Sequence, residues 1–524
     1  MKKTMKQRSF ASRIKSLALV FGIALAFASC TNEDIAQNPN GTDNNKNFTI
    51  FSTGDPATRT SMESNGAFYW EAGDKIWVKD DTGAWQQSRN APTEKTASFK
   101  FEVPGKFTKT TTYKVYYPGQ NGNQNQVTIA ANQSQAEPNT TAHFGTSGDC
   151  GMADAAWSNT KNGFAFTLDH KAAYLLFLPR TSNTILHDCY LTKVEVNSDN
   201  DITSTYTLNP ATGKLTGTGT GKQIVLTTKS TSGTYTNGFP LTNNATSAAT
   251  NGSYVVIKPG THTLKIRYWV KDIVTGTEGT ITKTLASATY DQNKYYNITA
   301  NLDVNDYDGD HYYLWDAEEQ YWKGYEWTKH LPGNTGQPTL NLTSSSNYPQ
   351  GSGDANNRWY HEGSGSSFNA TQSCATLPNV NEMTWYAKEG DPRWDADELW
   401  TTMGHLYKGG MWFKKKSVLQ AEHHYDTEKS VDGSDWRTIG TSSRWSVSQT
   451  LPSAADANKY FYLPALGEYD YSGELGGVGS DGTYWSSSVN PWYSNYAYYM
   501  RINYGNVVVD SYGRYNGNRV GGFE

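Results

Sequence analysis

The chain has 524 residues and a formal net charge of −5; charged residues make up 18% and aromatic residues 13%, and Tyr and Gly are abundant. That length exceeds what one hydrophobic core organises, so several domains are expected. Extended helical periodicity is scarce, which makes the class mostly β with polar loops. No basic run occurs beyond the first fifteen residues, which argues against nucleic acid as a partner.

The N-terminus opens with Lys2, Lys3, Lys6, Arg8, Arg13 and Lys15, followed by an apolar run from Leu17 to Phe27 and then Ala28, Ser29 and Cys30. This is the pattern of a secretory leader over 1–30. Cys30 after small residues resembles a bacterial lipobox, which implies acylation there and an anchor in the outer membrane. The acidic pair Glu33-Asp34 resembles the surface-export tag of Bacteroidetes lipoproteins. Residues 31–47 read as a flexible Asn-rich tether. Beyond Cys30 there are three cysteines, Cys150, Cys189 and Cys374; Cys150 and Cys189 are free to pair in an oxidising location, but an odd count defines no disulfide framework.

From Phe48 onward, short β-rich runs separated by turn residues follow one another. They include FTIFS at 48–52, FYWEAGDKIWV at 68–78, YKVYYP at 113–118, FAFTLDHKAAYLLF at 164–177, LTKVEV at 191–196, SYVVIKP at 253–259 and KYYNITANL at 294–302. Together with Arg59-Thr60, this succession resembles the fimbrillin-like proteins of Bacteroidetes. The resemblance covers about 48–303 and implies two tandem transthyretin-like β-sandwiches, 48–165 and 166–303, as the body of a pilin or fimbrial accessory subunit. It also implies that cleavage after Arg59 could release the first strand and open a groove for a strand from another subunit. An Arg in an ordinary surface loop reads equally well there. Because the chain continues past this region, a pilus tip or a non-polymerising surface protein fits better than a mid-filament position.

The acidic stretch 303–310, DVNDYDGD, places Asp306, Asp308 and Asp310 at alternate positions, as a calcium loop would. Counting on from Asp306, however, His311 falls where the loop needs Gly and Ala317 where it needs the bidentate Glu, so a solvated linker is expected. Tryptophans then become frequent, among them Trp315, Trp322, Trp327, Trp385, Trp394, Trp400 and Trp436, which points to an irregular aromatic core. LPNVNEMTWYA at 377–387 reads as a helix with an Asn cap. DELWTTMGHLY at 397–407 reads as a second helix, ended by Gly409-Gly410. His405 then falls on the apolar side of that helix as a hydrogen-bonded core residue.

The closing stretch from Tyr484 is a Tyr, Asn, Ser and Gly block with strand alternation. Tyr498, Met500, Ile502, Val507 and Val509 form a packed row, while Tyr499, Arg501, Asn503, Asn506, Val508 and Asp510 form a presented row, with the turn at Tyr504-Gly505. Tyr, Asn, Ser and Gly are the residues of antibody binding surfaces. Lys, Glu and Gln are absent from 484 to 522. Their codons need a purine at the third position, as do those of Trp and Met, so mutation of Asn codons at their first two bases never yields them. By this logic Trp485, Trp492 and Met500 are scaffold.

With the segments at 377–395, 399–418, 460–469 and 478–488, this block resembles the C-type lectin fold target proteins of diversity-generating retroelements in Bacteroides. The resemblance covers about 311–524, with a variable region near 484–522, and implies an α+β C-type lectin fold domain after the two sandwiches. It implies binding of a protein or glycan on host, phage or neighbouring bacteria. The candidate binding residues are Tyr493, Asn495, Tyr499, Arg501, Asn503, Tyr504, Asn506, Val508 and Asp510, to which the family pattern adds Ser511, Tyr512, Tyr515, Asn516 and Asn518. Fimbrial subunits are a second class of partner. The alternative is a structural fimbrial subunit or anchor without diversified ligand binding.

No catalytic constellation is legible. His423 and His424 are adjacent and point apart, Cys374 stands alone, and neither a nucleophile elbow nor a phosphate loop occurs. The Glu-Pro-Asn triplet of calcium-dependent lectins occurs only at 137–139, in the sandwich half. Neither enzyme activity nor a cofactor or metal is expected.

Overall fold

The computed structural model describes residues 48–53, 61–62, 68–321, 323–324, 347–359 and 370–524. The leader, Cys30, the tether, Arg59, Trp322 and Trp327 lie outside the described residues. No helix among the described residues is long and apolar enough to cross a membrane. The protein is mostly β, as its alternating aromatic and β-branched runs dictate.

Strand Gly151–Ser158 turns the first sheet back on itself. Its first half pairs antiparallel with Tyr113–Tyr117, and its second half with Gly163–Phe166. The two layers it joins close over Phe51, Trp70, Val78, Phe101, Val115 and Phe164, all fully or almost fully buried. Strand Thr49–Thr53 sits between Gly163–Phe166, which it joins in parallel, and Lys100–Val103, which it joins antiparallel. Phe51 stacks on Phe164 with ring centroids 4.9 Å apart.

The next core is built around Ala173–Arg180, whose run AYLLFLPR is almost wholly buried because it lies between Ser253–Ile257 and Tyr295–Asn301 in one sheet and faces a second. That second sheet contains Tyr190–Ser198, Gln223–Thr227 and Leu264–Lys271. Phe177 meets Tyr268 edge-on across the layers. Two short strands from earlier in the chain also belong here: Gln126–Thr128 pairs with Thr205–Leu208, and Asn132–Ser134 with Gln223–Thr227. They bring Val127, Ile129 and Phe144 into this core, so the chain crosses between the layers well before residue 165. Cys150 and Cys189 are buried free thiols, not a disulfide.

The acidic stretch after Leu302 is held by hydrogen bonds. Asp303 accepts from the hydroxyls of Thr181 (2.7 Å) and Ser182 (2.7 Å), which hold its carboxyl well below the usual carboxylate range despite the opposing effect of burial. Among the described residues no group of three His, Cys, Asp or Glu side chains is placed to hold a metal ion.

Helix Val380–Glu389 forms as its cap predicts. Asn379 and Glu382 make a reciprocal capping box, the Asn379 side chain accepting from the Glu382 amide at 3.0 Å and the Glu382 carboxylate from the Asn379 amide at 2.8 Å. The helix expected at 397–407 does not form. Arg393–Thr402 and His405–Lys414 are two strands of a hairpin paired from Thr402↔His405 outward. Its two-residue turn, Met403 (φ 47°) and Gly404 (φ 82°), has the positive φ at both positions that a tight hairpin of this twist needs. Trp400 and Leu406 are buried on this hairpin, and tertiary burial of a β-compatible Leu-Trp-Thr-Thr run overrides a weak helical period. His405 therefore lies on a strand.

The last sheet runs in the order Tyr312–Tyr313, Asn518–Arg519, Asp481–Val489, Tyr496–Asn503, Asn506–Gly513, Ser443–Ser446. It thus ties the first strand of this part of the chain to the last one. The packed face covers Met383, Trp400, Met411, Phe413 and Leu463. This part also shares a core with the preceding sandwich, since Leu399 and Leu406 belong to the cluster of Phe177 and Val270. From Phe48 to Glu524 the chain is one compact unit.

Candidate ligand-binding face

The terminal hairpin, Tyr496–Asn503 and Asn506–Gly513, divides its side chains as the alternation predicts. Tyr498, Met500, Ile502, Val507 and Val509 are fully buried. Arg501 is exposed, and Tyr499, Asn503, Asn506, Val508 and Asp510 are partly exposed. Tyr504, 72% exposed, stands at the turn. Asn503 closes that turn, its side-chain oxygen accepting from the amides of Gly505 (2.9 Å) and Asn506 (3.0 Å).

Register extends the outward row onto neighbouring strands. Arg501 pairs with both Thr483 and Val508, and Val508 pairs with Arg444, so these four share one face by register, although Thr483 on it is buried. Arg444 is exposed, and local sequence pattern does not reveal its place on this face, because the pairing of 443–446 with 506–509 is long-range.

The face has two halves. Toward the turn it is open, and Arg501 reaches Asp481, its Nη2 donating to Oδ1 at 2.7 Å. Partial burial opposes the Arg501 charge, but Asp481 more than offsets this and raises its pKa. Beside this pair lies an open cleft of about 300 Å³, lined by Glu468, Asp470, Glu474, Gly476, Gly477, Asp481 and Arg501.

Toward the other end the face is covered. Trp315, Cys374, Leu377, Trp485, Val489 and Ala497 form a second small core against which Tyr499 and Tyr512 pack. The Tyr499 and Tyr512 rings are 4.2 Å apart, and Tyr512 lies 5.4 Å from Trp485. The Tyr512 hydroxyl donates to Glu468 Oε2 at 2.7 Å and sits 2.5 Å from the Asn518 side-chain oxygen. With one proton for two acceptors, turning the Asn518 amide over gives its otherwise unpaired buried Nδ2 a partner in that hydroxyl. Burial, then the Glu468 charge, raises the Tyr512 pKa; burial, then Asp510, pushes Tyr499 up to about 12.

The remaining candidates divide similarly. Tyr493 and Asn495 are exposed in the loop before the hairpin. Ser511 is engaged, its hydroxyl accepting from Asn490 Nδ2 at 2.8 Å. Tyr515 is partly exposed and lies over Gly513, where a Cβ would stand 2.4 Å from its ring. Asn516 and Asn518 are buried, 8% and 0% exposed, and are not part of any presented surface. The expectation that Asn516 and Asn518 are presented therefore fails: the chain leaves the hairpin at Gly513 and turns inward to pair Asn518–Arg519 with Tyr312–Tyr313. Arg514 anchors that inward turn. Its guanidinium lies 4.9 Å from the Trp315 ring and 4.8 Å from Trp359, and burial lowers its pKa to about 9, which leaves it charged at neutral pH.

The three residues assigned to scaffold also separate. Trp485 and Met500 are fully buried, whereas Trp492 is 57% exposed.

No protein-family model matches the chain, and no curated protein matches it. Similar solved structures include a candidate cell adhesion protein from Bacteroides ovatus, with 14% identity over 48% of this chain and 92% of its own, at a TM-score of 0.29. The fimbrial anchor protein Mfa2 from Porphyromonas gingivalis is similar over 45% of this chain and 82% of its own, with 12% identity and a TM-score of 0.21. A fimbrial protein from Bacteroides ovatus is similar over 90% of this chain and 98% of its own, with 11% identity and a TM-score of 0.26.

Proposed function

We propose that this is a cell-surface lipoprotein, anchored to the outer membrane through Cys30, that binds a protein or glycan ligand through a diversified face of a C-terminal C-type lectin fold domain. The two sandwiches form a fimbrillin-like body that carries the domain outward, at a pilus tip or on the cell surface. Processing after Arg59 would separate the chain before it from the rest, including strand Thr49–Thr53, which lies between two partner strands.

The observation that carries the reading is the division of the terminal hairpin. One row is fully buried in an aromatic and aliphatic core, and the other offers Arg501, Asn503, Tyr504, Asn506 and Val508 from a rigid sheet. Outward side chains on such a frame can change without disturbing packing, which suits a variable binding surface. The hairpin codons for the outward row should end in C or T, with a near-identical template and a reverse transcriptase at the locus; a locus with neither removes diversification. Binding is tested separately, with Arg501→Ala and Tyr504→Ala combined in the surface-displayed protein. Adherence to a partner should be lost while display persists, and unchanged adherence would sink the binding-face reading.

A second reading, a structural fimbrial subunit or anchor, is favoured by one observation. Leu399 and Leu406 join the sandwich core, so the C-terminal part is seated as a fixed cap. Under that reading the same double variant leaves every function unchanged.

A further inference from the structure

We propose that the loop at 490–496, between the strands Asp481–Val489 and Tyr496–Asn503, is a stacking platform for a neutral sugar ring, with the Trp492 indole as its floor. The inference rests on the reading of this end of the chain as a binding surface, but its residues lie beside the hairpin's outward row.

The loop exposes an unusual amount of apolar surface: Trp492 is 57% exposed, Tyr493 61%, and the adjoining Ile439 45%. An exposed indole is ordinarily free to swing, whereas this one is held. Its Nε1–H donates to the Ile439 carbonyl at 2.9 Å. Its ring lies against Gly440, where a Cβ would stand 2.0 Å from Trp492 Cδ1. The backbone beneath is held as well. The Asn490 side-chain oxygen accepts from the amides of Trp492 (2.8 Å) and Tyr493 (3.0 Å), while its Nδ2 donates to Ser511 on the hairpin. Pro491 removes a further backbone freedom. The Tyr493 ring keeps within 5.4 Å of Tyr496. A surface so preorganised loses little conformational entropy when a ligand arrives.

Its chemistry selects the occupant. The indole N–H is already used, so recognition falls to the ring face. The loop reads Asn-Pro-Trp-Tyr-Ser-Asn-Tyr and has no charged side chain, so a charged ligand finds no counter-charge within it. Next to Trp492 in the loop, the exposed or partly exposed Tyr493, Ser494 and Asn495 supply hydroxyls and an amide. A pyranose is complementary to both features, with a face of polarised C–H groups for the electron-rich ring and equatorial hydroxyls for the polar rim. Three exposed apolar side chains cover much less than the ~800 Å² per side that a stable protein–protein interface buries. A single sugar ring matches their extent.

The test uses the full mature chain with three neutral probes, maltohexaose, cellohexaose and mannohexaose, followed by saturation-transfer NMR and calorimetric titration. At least one probe should bind, with Trp492→Ala weakening it about tenfold or more. Trp492→Phe, which keeps one aromatic ring but loses the indole's second ring, its contact with Gly440 and its bond to Ile439, should bind more weakly than the parent and more tightly than Trp492→Ala. The proposal is overturned if no probe binds, or if Trp492→Ala binds as the parent does. The hairpin double variant Arg501→Ala, Tyr504→Ala separates the two readings. Sugar binding that survives it and fails in Trp492→Ala supports the platform whatever becomes of the hairpin. Sugar binding lost in the hairpin variant but kept in Trp492→Ala overturns the platform and leaves the hairpin reading standing. Matching near-ultraviolet circular dichroism of the variants confirms that each is folded.

Discussion

Asp272 and His405 meet across the seam between the second sandwich and the C-terminal part, Nδ1 of His405 donating to Oδ2 of Asp272 at 3.1 Å. The same oxygen accepts the Leu406 amide at 3.1 Å, while Oδ1 accepts the Val274 amide at 2.8 Å. One buried carboxylate thus closes its own turn and fixes the neighbouring hairpin. Asp272→Ala leaves buried amides without acceptors and should cost about 1 to 3 kcal/mol.

The same contact predicts a response to acid. Burial works to raise the Asp272 pKa, but the bonds from His405 and from the Leu406, Val274 and Thr275 amides together lower it. A carboxyl whose folded pKa lies below its unfolded value stabilises fully above about pH 4, and loses that contribution as pH falls through the folded value. Scanning calorimetry should therefore find the gap between parent and Asp272→Ala widest at neutral pH and narrower near pH 3. A gap that does not change between those conditions contradicts the assignment.

Met500 and Tyr504 test the two sides of the hairpin. Met500→Ala removes a fully buried side chain and should cost about 2 to 5 kcal/mol, whereas Tyr504→Ser at the exposed turn should stay within about 0.5 kcal/mol. Tyr499→Ser belongs between them, at about 1 to 2 kcal/mol, because its ring packs on Tyr512. Urea unfolding of the three variants checks the order. A Tyr504 variant as damaging as the Met500 one would mean that the faces are inverted.

Gly404→Ala probes the hairpin that replaced the expected helix. At φ 82° an L side chain should cost about 1 to 2 kcal/mol. In a helix the same change would stabilise, so the sign of the shift in melting temperature discriminates the two folds.

Cys150, Cys189 and Cys374 are buried, and burial pushes the pKa of each thiol up. A folded chain beginning at Thr31 should react with none of its thiols toward a disulfide reagent at neutral pH. Denatured without reductant, it should release all three. Only one reactive thiol after denaturation would reveal a Cys150–Cys189 bridge.

Local pattern by itself determined the mostly β class, the capped helix at Val380–Glu389 and the two rows of the terminal hairpin, since strand and helix periods and side-chain capping act between residues close in sequence. What lies far apart in sequence was decided only in the tertiary structure. The run at 397–407 carries both a helical period and strand formers, and burial of Trp400 and Leu406 between two layers chose the strand. The alternation that placed Arg501 and Tyr499 on one outward face could not show that Trp315, Trp485 and Cys374 close over the Tyr499 end and leave Arg501 open. Nor could it show that Asn518 and Arg519 turn inward to pair with Tyr313 and Tyr312, roughly two hundred residues earlier. Period sets the direction in which a side chain leaves its strand, whereas the rest of the fold determines whether that direction leads to solvent.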